Sequence, residues 1–306
     1  MQPTRIDKTE KGYLNRAHGI INRFEKESGQ TVENIDALVD WLLTRLQPTI
    51  VKSTWRYYRA SIVYYLQLHN HSLAAVTAVR KLENTNCKQE SFETSALKQK
   101  KLSNNDIELI ASKLDTAKNK WDGLIISWLE AAVITGLRPS EWETAVLKGD
   151  YLIVQNGKNT NGRSFGVERV LNLSGLDECA YEAVEKFFHK LHYAMHVNNG
   201  RFQQIYTSCR MRLRWVTGQL WPPKKKHPTL YSCRHQFSAD MKNTLSKKEI
   251  AALMGHGTDA TATEHYGKKQ VGTYLKNHIL PDPAQVALIQ EKKTWLQKVS
   301  EKEQKT

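Results

Sequence analysis

Cysteine is scarce in this 306-residue chain, and its four copies (Cys87, Cys179, Cys209 and Cys233) never form a C-x-x-C pair. That spacing excludes a zinc-finger ligand set and a disulfide framework, and it predicts reduced thiols. Long apolar runs are missing too. The longest, residues 124–135, falls well short of the ~20 residues a membrane span requires and carries Glu130, so it predicts a buried helix. The opening residues M-Q-P-T-R-I-D-K lack the apolar core of a signal peptide, and no repeat period is visible. These absences together predict a cytoplasmic protein with no membrane partner. The chain also contains no H-E-x-x-H, no P-loop and no acidic cluster of the kind two-metal nucleases use, so no metal and no cofactor are expected. Acidic residues are outnumbered, 31 against 45 basic ones, leaving a net charge of +14. A chain this basic meets a polyanion, of which nucleic acid is the commonest.

What is present falls into two blocks. Residues 9–82 show helical periodicity throughout, with helices expected over 13–26, 34–46 (ending before Pro48) and 51–68. In the last of these Trp55, Tyr58, Ile62 and Tyr65 form an apolar stripe, while Lys52, Arg56 and Arg59 form a basic stripe at the same period. That basic stripe is either a phosphate-contacting face or a solvated one. Residues 84–101 are polar and lack an apolar period. The chain therefore divides into a helical domain over 1–95, a linker over 96–102 and a second domain over 103–306.

In the second block, S-N-N-D at 103–106 opens a helix, and a buried helix follows over 121–135 and stops at Gly136. Pro139 suits the first turn of the next helix, so Arg138 sits immediately before a helix start, with Glu141 one turn on. Arginine and free backbone N–H groups in that position favour an oxyanion; the alternative is a structural Arg–Glu pair. Residues 151–155 and 167–173 are β-rich and flank a turn that carries Lys158, a position where a lysine is ordinarily just solvated. Helices return over 178–197 and 203–220, the latter with Arg210, Arg212 and Arg214. Thr229 begins a helix bearing Tyr231, Arg234 and His235. A capping box, Ser246 with Glu249, then leads to L-M-G-H at 253–256, and a small-residue helix is expected to end at Gly267 with Tyr266 on its last turn. A final helix is expected over 284–299. The fold class is thus mainly α with a small β-hairpin or sheet (α+β).

These groups suit one reaction. A tyrosine, with a pKa near ~10, attacks a phosphodiester when cations stabilise the charge building on the non-bridging oxygens and a donor protonates the leaving oxygen. No metal or nucleotide is needed, because a phosphotyrosyl link conserves the bond energy.

T-G-L-R-P-S-E at 135–141, Y-x-x-R-H at 231–235 and L-M-G-H…H-Y at 253–266, with Gly157-Lys158 between them, resemble in order and separation the motif boxes of the tyrosine recombinase (phage integrase) family. The match covers about residues 102–268, and residues 9–95 fit the family's helical core-binding domain in position, length and charge. The resemblance implies a catalytic domain in which Arg138 and Arg234 clamp the scissile phosphate. Lys158 would protonate the leaving 5′-oxygen, His256 would bond the phosphate or assist proton transfer, and Tyr266 would attack to form a 3′-phosphotyrosyl intermediate. It further implies site-specific recombination, as in integration or excision of a mobile element. The implied partners are double-stranded DNA with inverted-repeat core sites, a tetrameric synapse of this chain and accessory DNA-bending proteins, with location at the nucleoid. Telomere resolution and type IB-like topoisomerase activity share the chemistry, and a non-cleaving DNA-binding regulator would share the scaffold.

The chain departs from the family pattern at two points. Tyr231 stands where the family usually has histidine, and the phenol is a poor base near neutral pH, with His227 and His235 as nearby substitutes. His256 and Tyr266 are ten residues apart, one more than the commonest spacing, and Tyr274 is the alternative nucleophile.

Overall fold

The computed structural model describes residues 7–89, 99–116, 118–157, 164–221, 226–261, 266 and 268–291. The chain divides into two compact units, residues 1–93 and 94–306.

The first unit is helical. Helix α1 (Asp7–Ser28) packs on α3 (Lys52–Leu68), as does α4 (Leu73–Lys81). Trp55, Ile62 and Leu66 recur at spacings of seven and four, so one face of α3 enters a core with Phe24, Leu38 and Leu42. Helix α2 (Ile35–Trp41) is capped by Asn34, whose side chain accepts from the Ala37 N–H at 3.1 Å. Beyond it the backbone does not stop before Pro48. It widens into a π turn (Leu42–Leu46) and tightens into a 3-10 turn (Gln47–Thr49), with Pro48 in that turn's first positions, where its missing N–H costs nothing.

The second unit is built around α6 (Asp122–Thr135). Nine of its fourteen residues are buried, which is why its sequence is apolar all round and lacks a one-sided stripe. Helix α7 (Glu178–Val197) and α9 (Leu230–Met241) pack against it, with α5 (Asn104–Lys113) and α8 (Phe202–Leu220) on a further side. Trp128 of α6 meets Phe187 at 5.3 Å, Tyr206 at 6.0 Å and Phe202 at 6.1 Å between ring centroids. The capping boxes at Ser103 and Ser246 both form, the second opening α10 (Lys247–Leu253). Leu102, placed by the sequence in the linker, is buried in this unit's core and donates its backbone N–H to Gln236 at 3.0 Å.

The expected hairpin is part of a larger sheet. Strands β1 (Val146–Lys148), β2 (Tyr151–Gln155), β3 (Glu168–Asn172) and β4 (Leu280–Pro281) lie antiparallel in that order. The outer two are too short to show an alternating pattern, which is why the sequence does not predict them. The helix expected over 284–299 is confined, among the described residues, to Pro283–Ala287; Gln290 then bridges Thr258 as extended chain, and Ile289 packs on Ala251 and Ala252. Residues 292–306, with Trp295 and Leu296, lie outside the described residues.

Candidate active site

The site begins where α6 ends. Gly136 takes a left-handed conformation (φ 65°), and a Cβ there would fall 2.2 Å from the Phe237 ring, so only glycine fits. Arg138 follows in extended conformation at the start of the 3-10 turn Pro139–Glu143, a single turn where a longer helix is expected. Trp142 anchors that turn by an edge-to-face contact with Phe187 at 4.7 Å. Glu141 thereby points back at Arg138, accepting from Nη1 at 2.5 Å and from the backbone N–H at 2.7 Å.

Tyr231 and Arg234 lie three residues apart on α9 and face the same side. Arg234 is wholly buried. It donates to the carbonyls of Gly136 (2.7 Å) and Met254 (2.5 Å) and, through Nε, to the Tyr266 hydroxyl at 3.3 Å. The Tyr231 and Tyr266 hydroxyls are 3.1 Å apart.

Burial alone would raise the Tyr266 pKa. Arg234, Arg138 and the bond from Tyr231 outweigh it and bring the phenol down to about 8, while burial and the Tyr266 charge push Tyr231 up. Once Tyr266 ionises, Tyr231 is the donor of the pair and Tyr266 the acceptor.

His256 is buried just beyond Gly255. Its Nε2 lies 3.2 Å from Arg234 Nη2. Arginine only donates, so Nε2 accepts and the ring proton sits on Nδ1. Burial and the Arg234 and Arg138 charges hold the imidazole pKa down to about 2, so the ring is neutral. His256 Nδ1 and Arg138 Nε are buried with no hydrogen-bond partner among the described residues. Two such buried donors near a phenol whose pKa is lowered by cations suit an oxyanion.

Tyr266 itself lies in a bend, while Ala260 and Thr261 are helical and residues 262–265 fall outside the described residues. Its ring stands 5.1 Å from His235 and 5.3 Å from His256. Tyr274, the alternative nucleophile, is 67% exposed. Lys158 lies outside the described residues; the chain leading to it is held by the Gly157 N–H, which donates to Glu141 at 3.2 Å. In the first unit Lys52 and Arg56 are exposed, whereas Arg59 donates to the Leu82 carbonyl at the end of α4.

No protein-family model and no curated protein matches the chain. Among solved structures, a lambda integrase dimer bound to a COC′ core site is similar at 15% identity, with a TM-score of 0.50 over 85% of this chain and 89% of that one. The Tn1549 transposon integrase in complex with transposon right end DNA is similar at 12% identity, with a TM-score of 0.52 over 98% of this chain and 95% of that one. The chain shares the integrase fold.

The expected fold class, mainly α with a small antiparallel sheet, is the one observed. Within this integrase fold the structure brings together Arg138, Tyr231, Arg234, His256 and Tyr266, which the sequence separates by up to 128 positions, from 138 to 266. It also adds a residue that the sequence pattern does not single out. Arg169, on β3, is wholly buried and donates to the Leu253 carbonyl (2.8 Å), to Asn156 Oδ1 (2.7 Å) and to Glu141 Oε2 (2.8 Å). The signal that could have found it is strand alternation: Arg169 shares the inward face with Leu171, and an inward arginine on a half-buried strand needs a buried acid.

Proposed function

We propose that this protein is a site-specific DNA recombinase that cuts and rejoins strands through a 3′-phosphotyrosyl intermediate. The observation that carries the reading is the Tyr266 hydroxyl held by Arg234 Nε and Tyr231 beside the unpartnered donors Arg138 Nε and His256 Nδ1. In this reading the scissile phosphate lies against these donors. Arg138, Arg234 and His256 Nδ1 donate to its non-bridging oxygens, which carry more charge in the transition state than in the ground state. The Tyr266 phenolate, its proton already released to solvent, attacks phosphorus, the bond to the 5′-oxygen breaks, and Lys158 supplies that oxygen's proton. A 5′-hydroxyl from another strand then attacks the phosphotyrosyl phosphorus and releases Tyr266.

The lowered Tyr266 pKa supports nucleophilic use of this phenol, because a larger fraction is ionised at neutral pH than for a free tyrosine. The net charge of +14 supports a DNA substrate, and the exposed Lys52 and Arg56 are the proposed phosphate contacts of the N-terminal unit. Double-stranded DNA with inverted-repeat sites, a tetrameric synapse, accessory bending proteins and nucleoid association belong to the same proposal, as does a role in moving a mobile element. No described helix is long and apolar enough to cross a membrane.

The test is a nicked suicide duplex built from the DNA flanking the gene, centred on inverted repeats of ~10 bp, since two protomers must face each other across a short spacer. A covalent protein–DNA adduct is expected, absent in Tyr266→Phe. An adduct that persists in Tyr266→Phe would remove Tyr266 as nucleophile, and exchanged strands rather than relaxed circles or hairpin ends would identify recombination.

A further inference from the structure

The Glu141 carboxylate faces three guanidinium groups. Arg138 reaches Oε1 at 2.5 Å, Arg169 reaches Oε2 at 2.8 Å, and Arg234 Nη1 stands 3.8 Å from Oε2. Two of these arginines, Arg138 and Arg234, are the proposed phosphate contacts. Arg169 is not one: its side chain is wholly enclosed, and its bonds all go to protein groups. The groups it reaches belong to the three segments that carry the site. Glu141 belongs to the turn that presents Arg138, Asn156 immediately precedes Gly157 on the way to Lys158, and the Leu253 carbonyl ends the helix before His256.

Gly255 shows how close this packing is. A Cβ there would lie 2.2 Å from Asn156 Oδ1 and 2.9 Å from Arg169 Nη1, and the residue also adopts φ 65°. The end of α10 can settle on Arg169 and Asn156 only because that position is glycine.

From this juxtaposition we infer that Arg169 is a positioning residue for the phosphotyrosyl reaction, engaging Glu141 so that Arg138 and Arg234 keep their charge for the substrate phosphate. The inference rests on the strand-cleavage reading above. Without Arg169, the one carboxylate would be balanced by Arg138 and Arg234 alone, and both would be drawn toward it and away from the substrate phosphate. With it, three guanidinium charges against one carboxylate leave an excess of two, matched to an anion and concentrated on the two arginines proposed to contact the phosphate.

A double-mutant comparison separates this from a merely structural role. Arg169→Met should slow adduct formation on the suicide duplex, on the order of 10- to 100-fold. Adding Glu141→Gln, which removes the acid that Arg169 answers, should recover part of that loss. A double variant as slow as Arg169→Met, or slower, overturns the inference.

The second readout uses the free protein without DNA. The near-ultraviolet titration of Tyr266, taken as the difference from the same protein carrying Tyr266→Phe, should move to higher pH in Arg169→Met and back down in the double variant. An unmoved titration likewise overturns it. Arg169→Lys keeps the charge but loses the planar fork to Asn156 and Leu253. It should hold the Tyr266 midpoint while slowing cleavage, and wild-type cleavage by this variant would refute the positioning role even where Arg169→Met does not fold. Because the titration needs no DNA, a wild-type protein that makes no adduct sinks the recombinase reading while leaving the Arg169 result readable.

Discussion

The Tyr231 hydroxyl lies 3.1 Å from the Tyr266 hydroxyl, and the two phenols titrate in opposite directions, Tyr231 upward and Tyr266 downward to about 8. On the proposed reading, this gives position 231 a role. A phenol that stays protonated cannot take the nucleophile's proton, but it can donate to the phenolate that remains once that proton has left.

Cleavage should therefore rise with pH through about 8, as Tyr266 ionises, and then level. Tyr231→Phe removes a hydrogen bond to a charged acceptor, worth about 1.5–3 kcal/mol. That should raise the midpoint of the cleavage–pH profile by roughly one to two units and slow adduct formation near neutral pH. A profile unchanged in Tyr231→Phe would show that the hydroxyl pair has no role in ionisation. Stability follows the same sign. The folded pKa lies below the unfolded one, so wild type compared with Tyr266→Phe should gain stability as pH rises from about 8 toward ~10 and lose that gain as pH falls through about 8.

Glu141 is opposed by burial, but Arg169, Arg234 and Arg138 hold its carboxyl well below the usual carboxylate range. Its stabilisation is fully present above the ordinary carboxylate pKa of ~4.3 and drains away as pH falls toward the depressed folded value. Glu141→Gln leaves three buried guanidinium groups without their counter-charge and should cost about 3–5 kcal/mol at neutral pH. Denaturant midpoints of the two proteins, measured from neutral pH into acid, should converge at the acid end.

Gly255→Ala places a methyl group on Asn156 and Arg169 in a left-handed backbone position. The conformational part alone costs ~1–2 kcal/mol and the overlap adds to it. Chemical denaturation should show the loss, and adduct formation should fall further than Tm predicts, because His256 is the next residue.

Arg212 pairs with the buried Asp122 through two bonds of 2.8 and 2.7 Å and, among the described residues, makes none to the candidate site residues. Arg212→Ala strands a buried carboxylate and should cost roughly 3 kcal/mol, with the folded fraction still forming adduct at the wild-type rate. A loss of adduct without a loss of stability would place Arg212 in the DNA interface instead.

Lys52→Ala with Arg56→Ala should weaken DNA binding and make the slope of log K against log salt shallower by about 2, roughly one unit for each phosphate no longer neutralised. Arg59→Ala should instead loosen the end of α4, because its guanidinium donates to the Leu82 carbonyl, and thermal denaturation of the N-terminal unit distinguishes the two outcomes.

The sequence by itself determined most elements of this protein and most of its candidate chemistry. The residue 178–197 helix, both serine capping boxes, the Gly136 stop and the buried 121–135 helix are local signals, set by periodicity, caps and left-handed glycines within a few positions. The motifs at 135–141, 231–235 and 253–266 likewise mark Arg138, Tyr231, Arg234, His256 and Tyr266 as candidates, since their chemistry is carried by residue type and order. Tertiary structure alone decided how those groups are charged and linked. Which phenol is acid and which is donor depends on the distance between Tyr231 and Tyr266, 35 positions apart, and on the burial of both. The role of Arg169 depends on Glu141, Asn156 and Leu253 converging from three segments. Short edge strands such as Leu280–Pro281 form only because a completed β3 is there to pair with. Local conformation follows from neighbours along the chain, whereas pKa values and buried charge balance follow from neighbours in space.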